Sequence, residues 1–138
     1  MLEDLLQRRP YNAAVDFVDA NVARGLGQKV AFIDPTRTLT YGELQARTFQ
    51  FAAALRTLGL RQEDRLLLLL PDTVDYPVAF WGAIRAGIIA IPLNTLLSAD
   101  VYSYIMADSR ATALVAAAPL ARNILPILER VPRLRTVV

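Results

Sequence analysis

The residues that could carry chemistry are few, and they gather in three short stretches. Pro71-Asp72-Thr73-Val74-Asp75 offers two carboxylates three positions apart, a spacing that could ligate a metal or divide acid and base duties. Pro92-Leu93-Asn94-Thr95 offers an amide and a hydroxyl that could touch a ligand. Gly25-Leu26-Gly27 comes nearest to an anion cradle, which needs closely spaced glycines so that backbone amides can approach a phosphate. Each has a plainer account. Asp72 and Asp75 fall at the start of a predicted helix, where the dipole and the free N–H groups favour acids. Asn94 and Thr95 suit a turn and the cap of the next helix. The Gly25/Gly27 pair lacks a third glycine and precedes a strand, so it reads as a helix stop.

The remaining inventory excludes several classes of enzyme. The chain has no His and no Cys, so the commonest general base, the commonest metal ligand and any thiolate are missing. Zinc sites and Ser-His-Asp triads are thereby out. Lys29 is the single lysine and stands at the start of an exposed strand. Tyr76, Phe80, Trp81, Tyr102 and Tyr104 could be taken for a base-stacking platform, yet they sit in predicted helices at spacings that alternate faces, and no basic surround accompanies them. Core and partner contacts account for them better. By residue type alone the chain holds no catalytic constellation, no metal site and no cofactor-binding set, and its substrate-binding residues are unknown.

The 138 residues are 54% hydrophobic and 20% charged, which points to a globular fold rather than disorder. A chain of this length buries roughly two-thirds of the surface its unfolded form exposes. The 15 basic and 13 acidic residues are interleaved, so the net charge of +2 marks no phosphate-tracking stripe and no nucleic-acid partner. Residues 1–10 read as a charged tail without the apolar stretch of a signal peptide. The longest apolar run, Leu66 to Leu70, is far short of the roughly 20 residues a membrane helix needs. A soluble, cytoplasmic protein is expected.

The elements that must position these loops can be read in order. Ala14, Val15, Val18 and Val22 predict a helix over residues 11–23, and residues 29–33 and 38–40 predict a small antiparallel ribbon. Thr40-Tyr41-Gly42-Glu43 fits a capping box, in which the Thr40 hydroxyl accepts from the Glu43 amide and the Glu43 carboxylate reaches back. A long helix follows, with Leu44, Thr48, Phe51, Leu55 and Leu58 on one face and Gly59 as its left-handed stop. Residues 65–70 are apolar without alternation, as in a strand buried on both faces of a parallel sheet. Then come a helix to Ala86, capped by Asp72 or Thr73 and closed by Gly87; a strand over 88–91; and a helix over 99–108 capped by Ser98. A strand over 112–116, a helix over 120–131 and a strand over 135–138 complete the chain. This is the pattern of right-handed βαβ crossovers and predicts a three-layer α/β fold with an open, mainly parallel sheet. Residues 11–64 and 65–138 form its two parts. Ligands in such sheets sit at the strand carboxyl ends, which are the loops after Leu70, Ile91 and Ala116. None of the six glycines lies in them. A final apolar strand with no helix after it suggests a truncated subdomain with an exposed edge or face around Leu114-Val115 and Val137-Val138, and hence self-association.

Two stretches carry a resemblance. Leu39-Thr40-Tyr41-Gly42-Glu43-Leu44 and Ile84-Arg85-Ala86-Gly87-Ile88-Ile89-Ala90-Ile91-Pro92-Leu93-Asn94 resemble the two N-terminal core motifs of the adenylate-forming (AMP-binding) superfamily, with likeness running from about residue 11 to 138. Within it, residues 11–17, 72–80 and 94–97 resemble benzoate and related aryl-acid CoA ligases. The resemblance implies a parent enzyme that activates an aromatic carboxylate with Mg-ATP and passes the acyl-adenylate to coenzyme A, and it makes the remainder of that ligase the partner. It also implies that the phosphate loop, the adenine and ribose contacts and the catalytic lysine of that family lie beyond residue 138. Thr40, Tyr41, Glu43 and Gly87 are then structural, Thr95-Leu96-Leu97 stands where some relatives place a coenzyme A arginine, and the chain alone is expected to be inactive and to hold no cofactor. The alternative is a stand-alone, non-catalytic α/β binding or interaction module.

Overall fold

Five leucines in a row, four of them in one strand, leave that strand no polar face to turn to water, and the architecture follows from satisfying that demand. A computed structural model describes residues 10–138; the predicted tail over 1–10 lies outside them except for Pro10. The chain opens with a helix containing two wide, π-type stretches, Val15–Asp19 and Val22–Leu26. It continues through β1 (Val30–Ile33), β2 (Thr38–Thr40), α1 (Tyr41–Thr57), β3 (Arg65–Leu69), α2 (Asp75–Arg85), β4 (Ile89–Pro92), α3 (Ala99–Asp108), β5 (Ala113–Ala116), α4 (Ala118–Ala121), a 3₁₀ segment Leu125–Arg130 and β6 (Thr136–Val137).

Strands β1 and β2 form the antiparallel ribbon, and β4-β3-β5-β6 form a wholly parallel sheet. On β3, Leu66 and Leu68 meet Leu55, Leu60, Ala79, Ala83 and Ile88 on one side, whereas Leu67 and Leu69 meet Tyr102, Met106, Leu114, Ile124 and Ile127 on the other. All four are fully buried. Helices α1 and α2 cover the first face, and α3 with the 3₁₀ segment covers the second, giving the three layers expected.

The capping box of α1 is present: Thr40 N–H donates to Glu43 Oε2 at 2.8 Å, and Glu43 N–H donates to Thr40 Oγ1 at 3.2 Å. The Thr40 N–H, with the Thr40 hydroxyl donating to the same Oε2 at 2.9 Å, holds the Glu43 carboxyl below the ordinary carboxylate range. Gly59 and Gly87 adopt left-handed φ values of 86° and 77°, the stops expected of them, whereas Gly25, at 84°, kinks the first helix and lets the helical stretch run on to Leu26.

Several expectations are corrected. In the first helix Ala14 and Val18 are buried but Val15 is 50% exposed, because the wide turns shift the face that an ordinary helix would bury. The single helix predicted over 120–131 breaks into α4 and a 3₁₀ turn, since Pro126 lacks the N–H and its ring clashes with the carbonyl four residues back. None of Asp72, Thr73 and Ser98 accepts a capping hydrogen bond through its side chain: α2 begins after Val74 and α3 after Ser98 without one. Val137 and Val138 are exposed as anticipated, but Leu114 is buried and Val115 half-buried, because β6 pairs with β5 and the 3₁₀ layer covers that face.

Helices α1 and α2 approach closely at Gly82, where an added Cβ would stand 2.8 Å from Phe51 Cδ1 and 3.0 Å from Phe51 Cβ. Gly82→Ala must push the helices apart and is expected to cost about 1–3 kcal/mol. Urea unfolding followed by circular dichroism measures it, and an unchanged midpoint would refute the contact.

Candidate functional site

The strand order sets where a ligand crevice can open. From β3 the chain crosses to β4 on one side and then back to β5 on the other, so the switch point lies between the carboxyl ends of β3 and β5. The loop after β3, residues 70–74, forms one wall. A cleft of about 240 Å³ lies against it, lined by Phe32, Ile33, Asp72, Thr73, Val74, Tyr76 and Pro77.

One buried carboxylate holds that wall in place. Asp34, at the ribbon turn, has a side chain only 2% exposed. Its Oδ1 accepts from Thr36 N–H (2.9 Å), Thr36 Oγ1 (3.0 Å) and Arg37 N–H (2.7 Å), and its Oδ2 accepts from Val74 N–H (3.0 Å) and Arg37 Nη2 (3.2 Å). The orphan amide at the start of α2 is thus capped by a residue forty positions earlier, not by Asp72 or Thr73. These donated hydrogen bonds, that of Val74 foremost, hold the Asp34 carboxyl far below the usual range.

The two carboxylates at 72 and 75 do not form an acid–base or metal pair. Asp75 receives Arg37 through both oxygens, at 3.1 and 2.7 Å, with Arg47 at 3.9 Å. Asp72 stays in the cleft wall beside Tyr76, whose phenol pKa is pushed up by burial first and by the Asp72 charge second. No cluster of three or more potential metal ligands occurs among the described residues. Asn94 serves a turn: its Oδ1 accepts from Leu96 N–H and its backbone oxygen from Tyr102 Oη, both at 2.8 Å. The Gly27 oxygen accepts from Gly42 N–H at 2.9 Å and the Lys29 oxygen from Tyr41 N–H at 3.0 Å, so this stretch docks the ribbon on α1. The aromatic residues make no stacking platform, for Tyr102 is buried, Tyr104 lies 67% exposed on α3, and Trp81 stacks on Phe17 with Phe80 edge-on.

A second polar hub went unread in the sequence. The Arg85 side chain, 8% exposed, makes a two-pronged pair with Asp19 at 2.7 and 2.8 Å, donates to Thr48 Oγ1 at 3.1 Å and lies over the Phe49 ring at 3.9 Å. Arg85 foremost, with Gln45 bonding as well, holds the Asp19 carboxyl below its ordinary range. Asn12 Nδ2 reaches the Ile84 oxygen at 2.8 Å. No periodicity links positions 66 residues apart. Asp34-Pro35-Thr36-Arg37, in contrast, carries the signature of an Asx turn, the one signal from which a satisfied Asp34 could have been anticipated.

An open parallel α/β layer fold whose strand order reverses between β3 and β5 belongs to a class that binds ligands at the carboxyl ends of its strands, and comparison with known proteins gives the chain its family. The family model described as AMP-binding enzyme matches residues 19–138, and the chain belongs to that family. It is 51% identical over 134 residues to the 4-hydroxybenzoate–CoA/benzoate–CoA ligase of Rhodopseudomonas palustris, covering 94% of this chain and 24% of that protein. It is 40% identical over 129 residues to the benzoate–CoA ligase of Thauera aromatica, covering 93% of this chain and 24% of that one. Among solved structures, the benzoate CoA ligase from Burkholderia xenovorans LB400 superposes with a TM-score of 0.81 at 43% identity, over 86% of this chain and 24% of that one. An anthranilate CoA ligase in complex with anthranoyl-AMP superposes with a TM-score of 0.87 at 31% identity, over 92% and 24%. The chain therefore spans about a quarter of the length of these relatives.

The crevice loops do not fit magnesium and a nucleoside triphosphate. They contain no glycine and no lysine to bind phosphates, and Asp75 is already neutralised by Arg37.

Two outcomes follow from these hubs. Asp34 titrates lower folded than unfolded, so its contribution is in place above pH about 4 and fades as pH falls through the folded value. Asp34→Asn should flatten the decline of Tm between pH 5 and 2, and a decline as steep as the parent's would refute the lock. Arg85→Met strands the Asp19 carboxylate and is expected to cost on the order of 3 kcal/mol, with Asp19→Asn added to it restoring part of the loss. A double-mutant cycle in denaturant reads the coupling, and strict additivity would disprove it.

Proposed function

We propose that this chain is the N-terminal part of the large domain of an ATP-dependent, AMP-forming aryl-acid CoA ligase of the benzoate type. The observation that carries the reading is the 51% identity, over nearly the whole chain, to a ligase whose name specifies benzoate and 4-hydroxybenzoate. The parent enzyme joins the acid to AMP with release of pyrophosphate, then transfers the acyl group to coenzyme A. It works in the cytoplasm, and the remainder of the ligase is this chain's partner.

The chain's share is scaffolding, as one subdomain of two parts, residues 11–64 and 65–138. Strand β3 and the Asp34 lock hold the loop over 70–74 at the crevice, and Arg85 fixes the first helix onto α1 and α2. Stabilising a phosphoryl-transfer transition state takes positioned cations and backbone donors. The crevice loops supply neither, so the chain by itself is inactive.

Pyrophosphate release tests both halves of the reading. The isolated 138-residue chain, given Mg-ATP, benzoate and coenzyme A, is expected to release none, whereas the product of a reading frame continuing past codon 138 should turn over with benzoate or 4-hydroxybenzoate. Turnover by the isolated chain would overturn its scaffolding role. A longer product that activates fatty acids and ignores aryl acids would overturn the substrate class.

A further inference from the structure

We draw no further inference here: the strongest candidate, the apolar outer face of the ribbon strand β1, where Val30, Phe32 and Ile33 stand exposed beside the cleft at the loop over 70–74, is an unpartnered surface, and nothing in the structure shows what covers it.

Discussion

Everything in this molecule is arranged around the burial of β3. Leu66 to Leu69 are fully buried, and because successive side chains point to opposite faces, two separate apolar layers are needed to keep them from water. Each leucine gains about 1.5–3 kcal/mol from burial relative to exposure. No one helix can supply both layers. The chain answers by crossing over the sheet in alternating directions, placing α1 and α2 on one face and α3 with the 3₁₀ turn on the other. The switch point, and so the crevice, is a by-product of that alternation.

Apolar burial fixes the layers but says little about how the ribbon and the first helix attach, and here two polar hubs decide. Asp34 ties the ribbon turn to the loop after β3, and Arg85 ties the first helix to α1 and α2. Both are nearly removed from water, where an unpaired charge is costly and the geometry that satisfies it is narrowly defined. The groups that catalogue as chemistry by type, Asp75, Arg37 and Asn94, are used for the same purpose. Arg37 and Asp75 pair with each other, and Asn94 holds the turn before α3.

That economy agrees with the place of the chain among its relatives. It shares their fold at up to 51% identity yet spans about a quarter of their length. A wall can be preserved in shape while the reacting groups lie elsewhere, and family membership here speaks for architecture first.

The sequence by itself determined the α/β class, the ribbon, the capping box at Thr40 and Glu43, the stops at Gly59 and Gly87, and the double-sided burial of β3. Each of these rests on neighbours within a turn or a strand, where residue type and period act directly. The motifs around residues 39–44 and 84–94 also sufficed to mark the superfamily. Only the tertiary structure decided which amide Asp34 caps, that Asp19 meets Arg85, that the helix near Pro126 breaks, and that the first helix widens. Those outcomes depend on groups brought together from 40 and 66 positions apart, or on packing that overrides local preference, and no spacing in the chain encodes a meeting at that range.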